Sequence, residues 1–181
     1  MEDIHKILVH QDRIKKEFQL LSEQQLNWKP SPGEWSILQC IDHLSVSENL
    51  YCKRLEDIVR GAYRPRFFER FPLFTAFLGS YVVNAMKKPN LRMPAPLVFK
   101  PSEKKNLSKS ILEQYLLLLS REHSLFEQVI QKNLLHMRIT SPALSVMTFT
   151  LKEVLEVNLL HQARHIEQAL RVKNNPYFPK N

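Results

Sequence analysis

Apolar residues recur at steps of three and four over long stretches of this chain, and this period constrains the fold more than any other feature. Near the N-terminus one such stripe contains Ile4, Leu8, Ile14, Phe18 and Leu21. A period near 3.6 places a stripe of this kind on one face of an amphipathic helix. Alternating runs of β-branched residues, which would indicate strands, are nearly absent, and the chain has only three glycines. The sequence therefore predicts an all-α protein.

Capping signals divide the helical pattern into four long helices. Ser36 with Gln39, and Thr150 with Glu153, have the spacing of a capping box, in which two side chains satisfy free backbone groups at a helix start. The turn NWKPSPGEW interrupts the helical pattern before the first of these pairs, because proline and glycine do not continue a helix. The predicted helices are about 3–26, 37–60, 107–133 and 151–172. Four helices of this length predict a four-helix bundle, as one domain over residues 1–181.

Residues 62–105 contain six of the eleven prolines. This density excludes one continuous helix but leaves room for a short helix at LFTAFLGSYVVNAMKK. We expect a long proline-rich crossover between the second and third helices. Long connections in compact domains often have a function, so this segment is a candidate lid or pocket wall.

The formal charge of +8 raises the question of a nucleic-acid partner. Basic residues are scattered as pairs among acids and form no stacking platform with aromatics, which disfavours nucleic acid. The longest aliphatic run, LLLL at 116–119, is far shorter than the roughly 20 residues that span a membrane. The N-terminus alternates charged and aliphatic residues, unlike a secretory signal, which favours a cytoplasmic location. We interpret Cys40 and Cys52 as reduced thiols.

Two histidines lie one turn apart on the fourth helix, in the sequence HQARHIEQ. His161 and His165 share a polar strip with Asn158 and Gln168, and the strip adjoins the apolar arc of the helix. Buried polar atoms without partners cost about 1–3 kcal/mol each, and a metal ion shared by the two imidazoles would satisfy both. The alternative is a pair of histidines at the rim of the bundle, bonded to backbone or water.

A third histidine, His43, adjoins the apolar arc of the second helix and could complete a metal site. On the same helix Glu48 falls within the apolar arc. We interpret it either as a buried carboxylate that orients a histidine ligand or as the partner of a basic side chain on a neighbouring helix. The remaining histidines are predicted to be surface residues: His5, His10, His123 and His136.

The segment EWSILQCIDHL, followed some 120 residues later by HQARHIEQ, resembles the DinB-like superfamily. The turn LNWKPSPGEWS and the segment PALSVMTFTLKEVLE extend the resemblance over nearly the whole chain. This family of bundles includes YfiT-type metal-dependent hydrolases and low-molecular-weight thiol S-transferases. The resemblance implies a metal triad of His43, His161 and His165, and Gln168 matches a recurring HxxxHxxQ form.

Three neutral histidine ligands leave at least one open position on a divalent ion, as in catalytic sites. Imidazole suits zinc, nickel and iron, of which we expect zinc or nickel first. The resemblance implies a metal-dependent thiol S-transferase or hydrolase whose substrate is a small molecule, such as a low-molecular-weight thiol. The alternative is a non-catalytic, stress-related bundle protein that binds a metal or another ligand. Glu48, Asn158 and Gln168 are the candidates to support the ligands, and a homodimer is compatible with an exposed helix face.

Overall fold

The computed structural model describes residues 2–70, 73–88 and 106–180. These ranges contain seven helices and one two-stranded hairpin. The elements are α1 (Glu2–Phe18), α2 (Glu23–Asn27), α3 (Ile37–Val59), α4 (Phe67–Arg70), α5 (Leu73–Met86), α6 (Ser110–Gln131), β1 (Arg138–Thr140), β2 (Thr148–Thr150) and α7 (Leu151–Lys173).

Helices α1, α3, α6 and α7 form a four-helix bundle, which confirms the predicted fold class. Both α6 and α7 pack against α1 and against α3. The helices α6 and α7 therefore lie across a diagonal of the bundle. Apolar side chains from all four helices fill the centre, and the large ones that are fully buried include Ile14, Phe18, Leu44, Tyr115, Phe126 and Ile166.

The first predicted helix, residues 3–26, is wrong in one respect, because the structure divides it into two. Helix α1 ends at Phe18, and α2 begins after Ser22. Ser22 and Gln25 form a capping box in which each side chain bonds the backbone N–H of the other. This local pairing starts a new helix although the apolar stripe continues through it.

The hairpin was not expected from the sequence. Its strands pair in antiparallel fashion with Ile139 opposite Phe149, and both of these side chains are buried. Strands of three residues are too short to display the alternation by which strands are recognised. The second strand ends at Thr150, whose side chain caps α7 through the predicted capping box with Glu153. The hairpin thus fixes the start of the helix that carries the histidine pair.

Helix α5 is the short helix expected within the crossover, and it packs against α7 and β2. Gly79 lies directly against the carbonyl oxygen of Thr148, where a Cβ atom would clash. Residues 71–72 and 89–105 of the crossover lie outside the described residues, so a lid or pocket wall there stays a prediction. None of the described helices has the length and apolar character needed to cross a membrane.

Candidate metal centre

The three histidines of the predicted triad meet between two neighbouring helices. His43 lies on α3, while His161 and His165 lie one turn apart on α7. The ring centroids are 4.5–4.8 Å apart, and one nitrogen from each ring lies within 4.8 Å of the other two. His43 is buried and the other two are half-buried. Within the described part of the chain, a search for three or more potential metal ligands close enough to share an ion finds these three histidines.

The orientation of the His161 ring follows from Ser47, one turn after His43 on α3. The Ser47 hydroxyl donates to the carbonyl oxygen of Leu44 at 3.1 Å. Its oxygen can therefore accept a hydrogen from His161 Nδ1, which lies 3.4 Å away. This assignment places the proton of His161 on Nδ1 and leaves Nε2 as a free lone pair that faces the other histidines.

Gln168 has the same relation to His165. Its Oε1 lies 2.9 Å from His165 Nδ1, and an amide oxygen can only accept. The proton of His165 is therefore assigned to Nδ1, and Nε2 is available as a ligand atom. A ring N–H bonded to a carbonyl oxygen is the usual way in which proteins orient a metal-binding histidine.

The distances fit a shared metal ion. His43 Nε2 and His161 Nε2 lie 2.9 Å apart. Two imidazole nitrogens that face each other need a proton or a cation between them; with the proton of His161 on Nδ1, this is either a proton on His43 Nε2 or a shared cation. Bonds from zinc to imidazole nitrogen are about 2.0–2.1 Å long, which suits nitrogens at such separations. Three imidazoles are also a preferred ligand set for nickel and iron.

Burial keeps the imidazoles of His161 and His165 neutral and therefore competent as ligands. It lowers the pKa of His161 well below the usual value, and the nearby His165 and His43 lower it further. Burial, with a contribution from His43, lowers the pKa of His165 to about 3. Burial has the opposite effect on a thiol and raises the pKa of Cys40 to about 12. Both cysteines are free and buried, so neither offers a thiolate nucleophile at neutral pH.

Trp35 forms one wall of the centre. Its ring is stacked on His165 at 5.7 Å and tilted against His43 at 5.0 Å between centroids. The capping box of Ser36 starts α3 directly after this residue and so fixes where the indole leaves the chain. The structure places it half-buried against two of the three histidines.

The three candidate supporting residues differ in their contacts. Gln168 bonds a histidine of the triad, as described above. Glu48 is fully buried and accepts from the hydroxyl of Tyr115 at 2.9 Å, which is neither a histidine nor a basic partner. Asn158 donates to Glu122 on α6 at 2.6 Å. That Glu48 and Asn158 support the metal ligands stays a prediction.

The sequence interpretation missed Glu122 and Gln162, which are both fully buried. It was also wrong about His10, which is half-buried with Nδ1 2.8 Å from Gln162 Oε1. A signal for Glu122 was present, since it follows Leu119 by three residues on the inner stripe of α6. The predicted surface positions hold for His5 and His136, which are exposed, whereas His123 is half-buried.

Comparisons with known proteins agree with this architecture. The sequence model of the DinB superfamily matches residues 7–169. A solved structure with a similar fold is YfiT from Bacillus subtilis, described as a probable metal-dependent hydrolase with an unusual four-helix bundle topology. The TM-score is 0.58 at 13% sequence identity, and the match covers 95% of this chain and 84% of YfiT. A comparison with curated proteins finds no match.

Proposed function

The chain belongs to the DinB superfamily, and from this premise we propose that it is a metal-dependent enzyme with one divalent ion held by His43, His161 and His165. The observation that carries the proposal is the convergence of three imidazole nitrogens within 4.8 Å. Two of the rings are held in orientation through their Nδ1 atoms, which lie within hydrogen-bond distance of Ser47 and Gln168. Three neutral nitrogen ligands with an open side are typical of catalytic rather than structural metal sites.

We propose a small molecule as the substrate, and either hydrolysis or transfer of a low-molecular-weight thiol as the reaction. A divalent ion with three imidazole ligands lowers the pKa of a water or a thiol at its open position, so both reactions can use the same centre. YfiT, which has a similar fold, is described as a probable metal-dependent hydrolase. The motif resemblance to thiol S-transferases supports the second reaction.

The side chains around the centre have separate roles in this proposal. The histidines bind the ion, and Gln168 and Ser47 hold two of the rings with their lone pairs turned towards it. Trp35 covers the rings of His43 and His165 and restricts the access of water from its side. The buried thiols of the two cysteines take no part, because burial raises their pKa.

The proposal is tested by activity measurements on protein loaded with zinc or nickel. One assay follows the consumption of a small thiol with 1-chloro-2,4-dinitrobenzene, and another follows hydrolysis of a p-nitrophenyl ester. We expect turnover in at least one assay with the wild type and its loss in His161→Ala. Turnover that survives in His161→Ala and after removal of the metal would contradict the proposal.

The alternative is a binding protein that holds a metal or another ligand without turnover. The observation that favours it is the position of Trp35, whose ring covers two of the histidines and narrows the approach to the centre. A protein that takes up one ion per chain but is inactive in both assays would support this alternative. The homodimer and the cytoplasmic location expected from the sequence stay predictions.

A further inference from the structure

A second cluster of buried polar groups lies in the middle of the bundle, across the diagonal between α6 and α7. Glu122 of α6 is fully buried. Its Oε1 accepts from Asn158 Nδ2 at 2.6 Å, and its Oε2 accepts from Gln162 Nε2 at 2.8 Å. One carboxylate thus pairs with two amides that lie one turn apart on α7.

The same cluster reaches the other two helices of the bundle. Gln162 Oε1 lies 2.8 Å from His10 Nδ1 on α1. On α3, Glu48 accepts from Tyr115 of α6 at 2.9 Å, and it lies close enough to Glu122 for the two charges to interact. We call these side chains the carboxylate network: His10, Glu48, Tyr115, Glu122, Asn158 and Gln162.

A contribution to stability does not explain why carboxylates and amides occupy these core positions. Burying a carboxylate is costly, and apolar side chains of similar size often give an equally stable or more stable interior. Glu48 and Glu122 are both fully buried, and in the described residues Glu48 Oε2 has no hydrogen-bond partner. A hydrogen-bonded network fixes the relative orientation of the helices that it connects, because the strength of a hydrogen bond depends on its angle whereas the hydrophobic effect is not directional.

The orientation of α7 matters because this helix carries residues of both the network and the metal centre. Asn158 and Gln162 alternate along α7 with His161 and His165. Side chains of a helix reach about 5–6 Å from its axis, so a rotation of α7 by about 10° would move them by about 1 Å. Metal sites tolerate departures of only about 0.2 Å in ligand distance. The rotation of α7 therefore decides whether its two histidines meet His43.

We propose that Glu122 is a positioning residue of the metal centre, which fixes the rotation of α7 through Asn158 and Gln162. The inference rests on the proposed function, in which the three histidines hold an ion. The hydrogen bonds of Glu122 go to Asn158 and Gln162, so in this proposal it acts on the histidines of α7 through the helix backbone. His10 holds the other end of the Gln162 amide and so keeps both of its atoms in place.

The test compares the affinity for Zn²⁺ of the full-length protein and its variants, measured against a competing chelator. Glu122→Leu removes both acceptors and should weaken binding by about tenfold or more, the range found when a group that orients a metal ligand is lost. Glu122→Gln should stay within about threefold of wild type, because amide groups can turn to restore the pairing. Val129→Ala is the matched control, since Val129 is buried on α6 and outside the network.

A second measurement separates positioning from a general loss of stability. Urea unfolding of the metal-free proteins should show both variants to be less stable than wild type, because Glu122→Leu leaves the amides of Asn158 and Gln162 unpaired and Val129→Ala leaves a cavity. Only Glu122→Leu should lose Zn²⁺ affinity. Gln162→Leu should weaken binding to a similar extent. The double variant with Glu122→Leu should then be little worse than either single variant, since both changes break the same interaction.

The outcomes distinguish this inference from the proposed function. If wild type binds Zn²⁺ and Glu122→Leu binds as tightly as Val129→Ala, the inference is overturned and the metal centre stands. If wild type takes up no Zn²⁺, both fail together. If Glu122→Leu does not fold, Gln162→Leu decides: affinity at the level of Val129→Ala overturns the inference, and a loss of about tenfold supports it.

Discussion

Two buried polar clusters lie on α7, and they differ in how their atoms are paired. In the metal centre a nitrogen faces a nitrogen, with His43 Nε2 and His161 Nε2 2.9 Å apart. In the carboxylate network donors face acceptors, with Glu122 bound to Asn158 and Gln162. The facing nitrogens of the first arrangement can share either a proton or a cation, whereas the second arrangement pairs most of its own donors and acceptors. The contrast supports the two proposals, in which one cluster takes up an ion and the other holds the helices.

The two clusters also differ in their exposure to solvent. The metal centre lies between α3 and α7, which are neighbours, and Trp35 and two half-buried histidines bring it towards the surface. The carboxylate network lies across the diagonal of the bundle, where its carboxylates have no access to solvent. A site that exchanges a ligand needs such access, and a network that fixes geometry does not.

Removal of a metal ligand should have the largest effect. We expect His161→Ala to lose more than the about 10- to 100-fold in affinity that follows loss of a group behind a ligand. The control is His123→Ala, which removes a half-buried histidine of α6 that lies 3.7 Å from Glu127. Titration of Zn²⁺ by calorimetry measures both. Equal losses in the two variants would show that the triad has no special role.

The carboxylate network should be visible in the dependence of stability on pH. Burial raises the pKa of Glu122 from its ordinary 4.5 to about 7, although the bonds from Asn158 and Gln162 oppose the shift. A raised carboxyl pKa stabilises the fold at pH below 4.5, and this contribution is lost as pH rises through 7. The free energy of unfolding of wild type minus that of Glu122→Gln should fall by on the order of 2–3 kcal/mol from pH 4.5 to 8.

Urea unfolding of the metal-free proteins at a series of pH values measures this difference. The comparison cancels the contributions of groups that do not interact with Glu122, whereas Glu48, whose pKa burial and the charge of Glu122 raise, contributes to the difference. A difference that rises with pH, or does not change, would mean that folding does not raise the pKa of Glu122. The comparison of the two clusters would then need revision.

Loss of the acceptor behind His165 should have a smaller effect. Gln168→Leu removes the carbonyl oxygen that holds the Nδ1 proton, and we expect metal affinity to fall by about tenfold. Gln168→Glu offers a stronger acceptor and should retain or raise the affinity. Gln128→Leu, on α6, is the control for loss of a glutamine elsewhere. An affinity unchanged in Gln168→Leu would show that the ring needs no such support.

Replacing Trp35 should change the fluorescence response to a bound metal ion more than it changes the affinity for the ion. A Ni²⁺ ion beside the ring should quench the fluorescence of Trp35, while Trp35→Phe should keep its affinity within about threefold and lose most of the quenching. Trp28→Phe is the control, since Trp28 packs against Phe178 instead. Quenching that disappears with Trp28 and not with Trp35 would place the ion away from the three histidines.

The sequence predicted that the three histidines meet because its signals are local. The spacing of His161 and His165 is visible within one helical turn, and His43 adjoins the apolar arc of its own helix. Four long helices with two capping boxes were likewise sufficient for the bundle. The break at Ser22 could have been found in the same way, because SEQQ is itself a capping box.

The carboxylate network could not be predicted in this way. Glu122 occupies a core position on the stripe of α6, but its partners Asn158 and Gln162 lie 36 and 40 residues further along the chain. Only the packing of the bundle brings α6 and α7 into register across its centre. His10 was assigned to the surface for the same reason, since the edge of a helical stripe gives no information about which neighbour covers it.

The central claim is that the three histidines hold one metal ion, and metal uptake tests it most directly. Metal-free protein is incubated with Zn²⁺ or Ni²⁺, freed of excess ion and measured by mass spectrometry, alongside His43→Ala and His161→Ala. The account predicts one ion per chain in wild type and loss of this ion in both variants. A wild type that stays metal-free, or variants that bind as much as wild type, would contradict it.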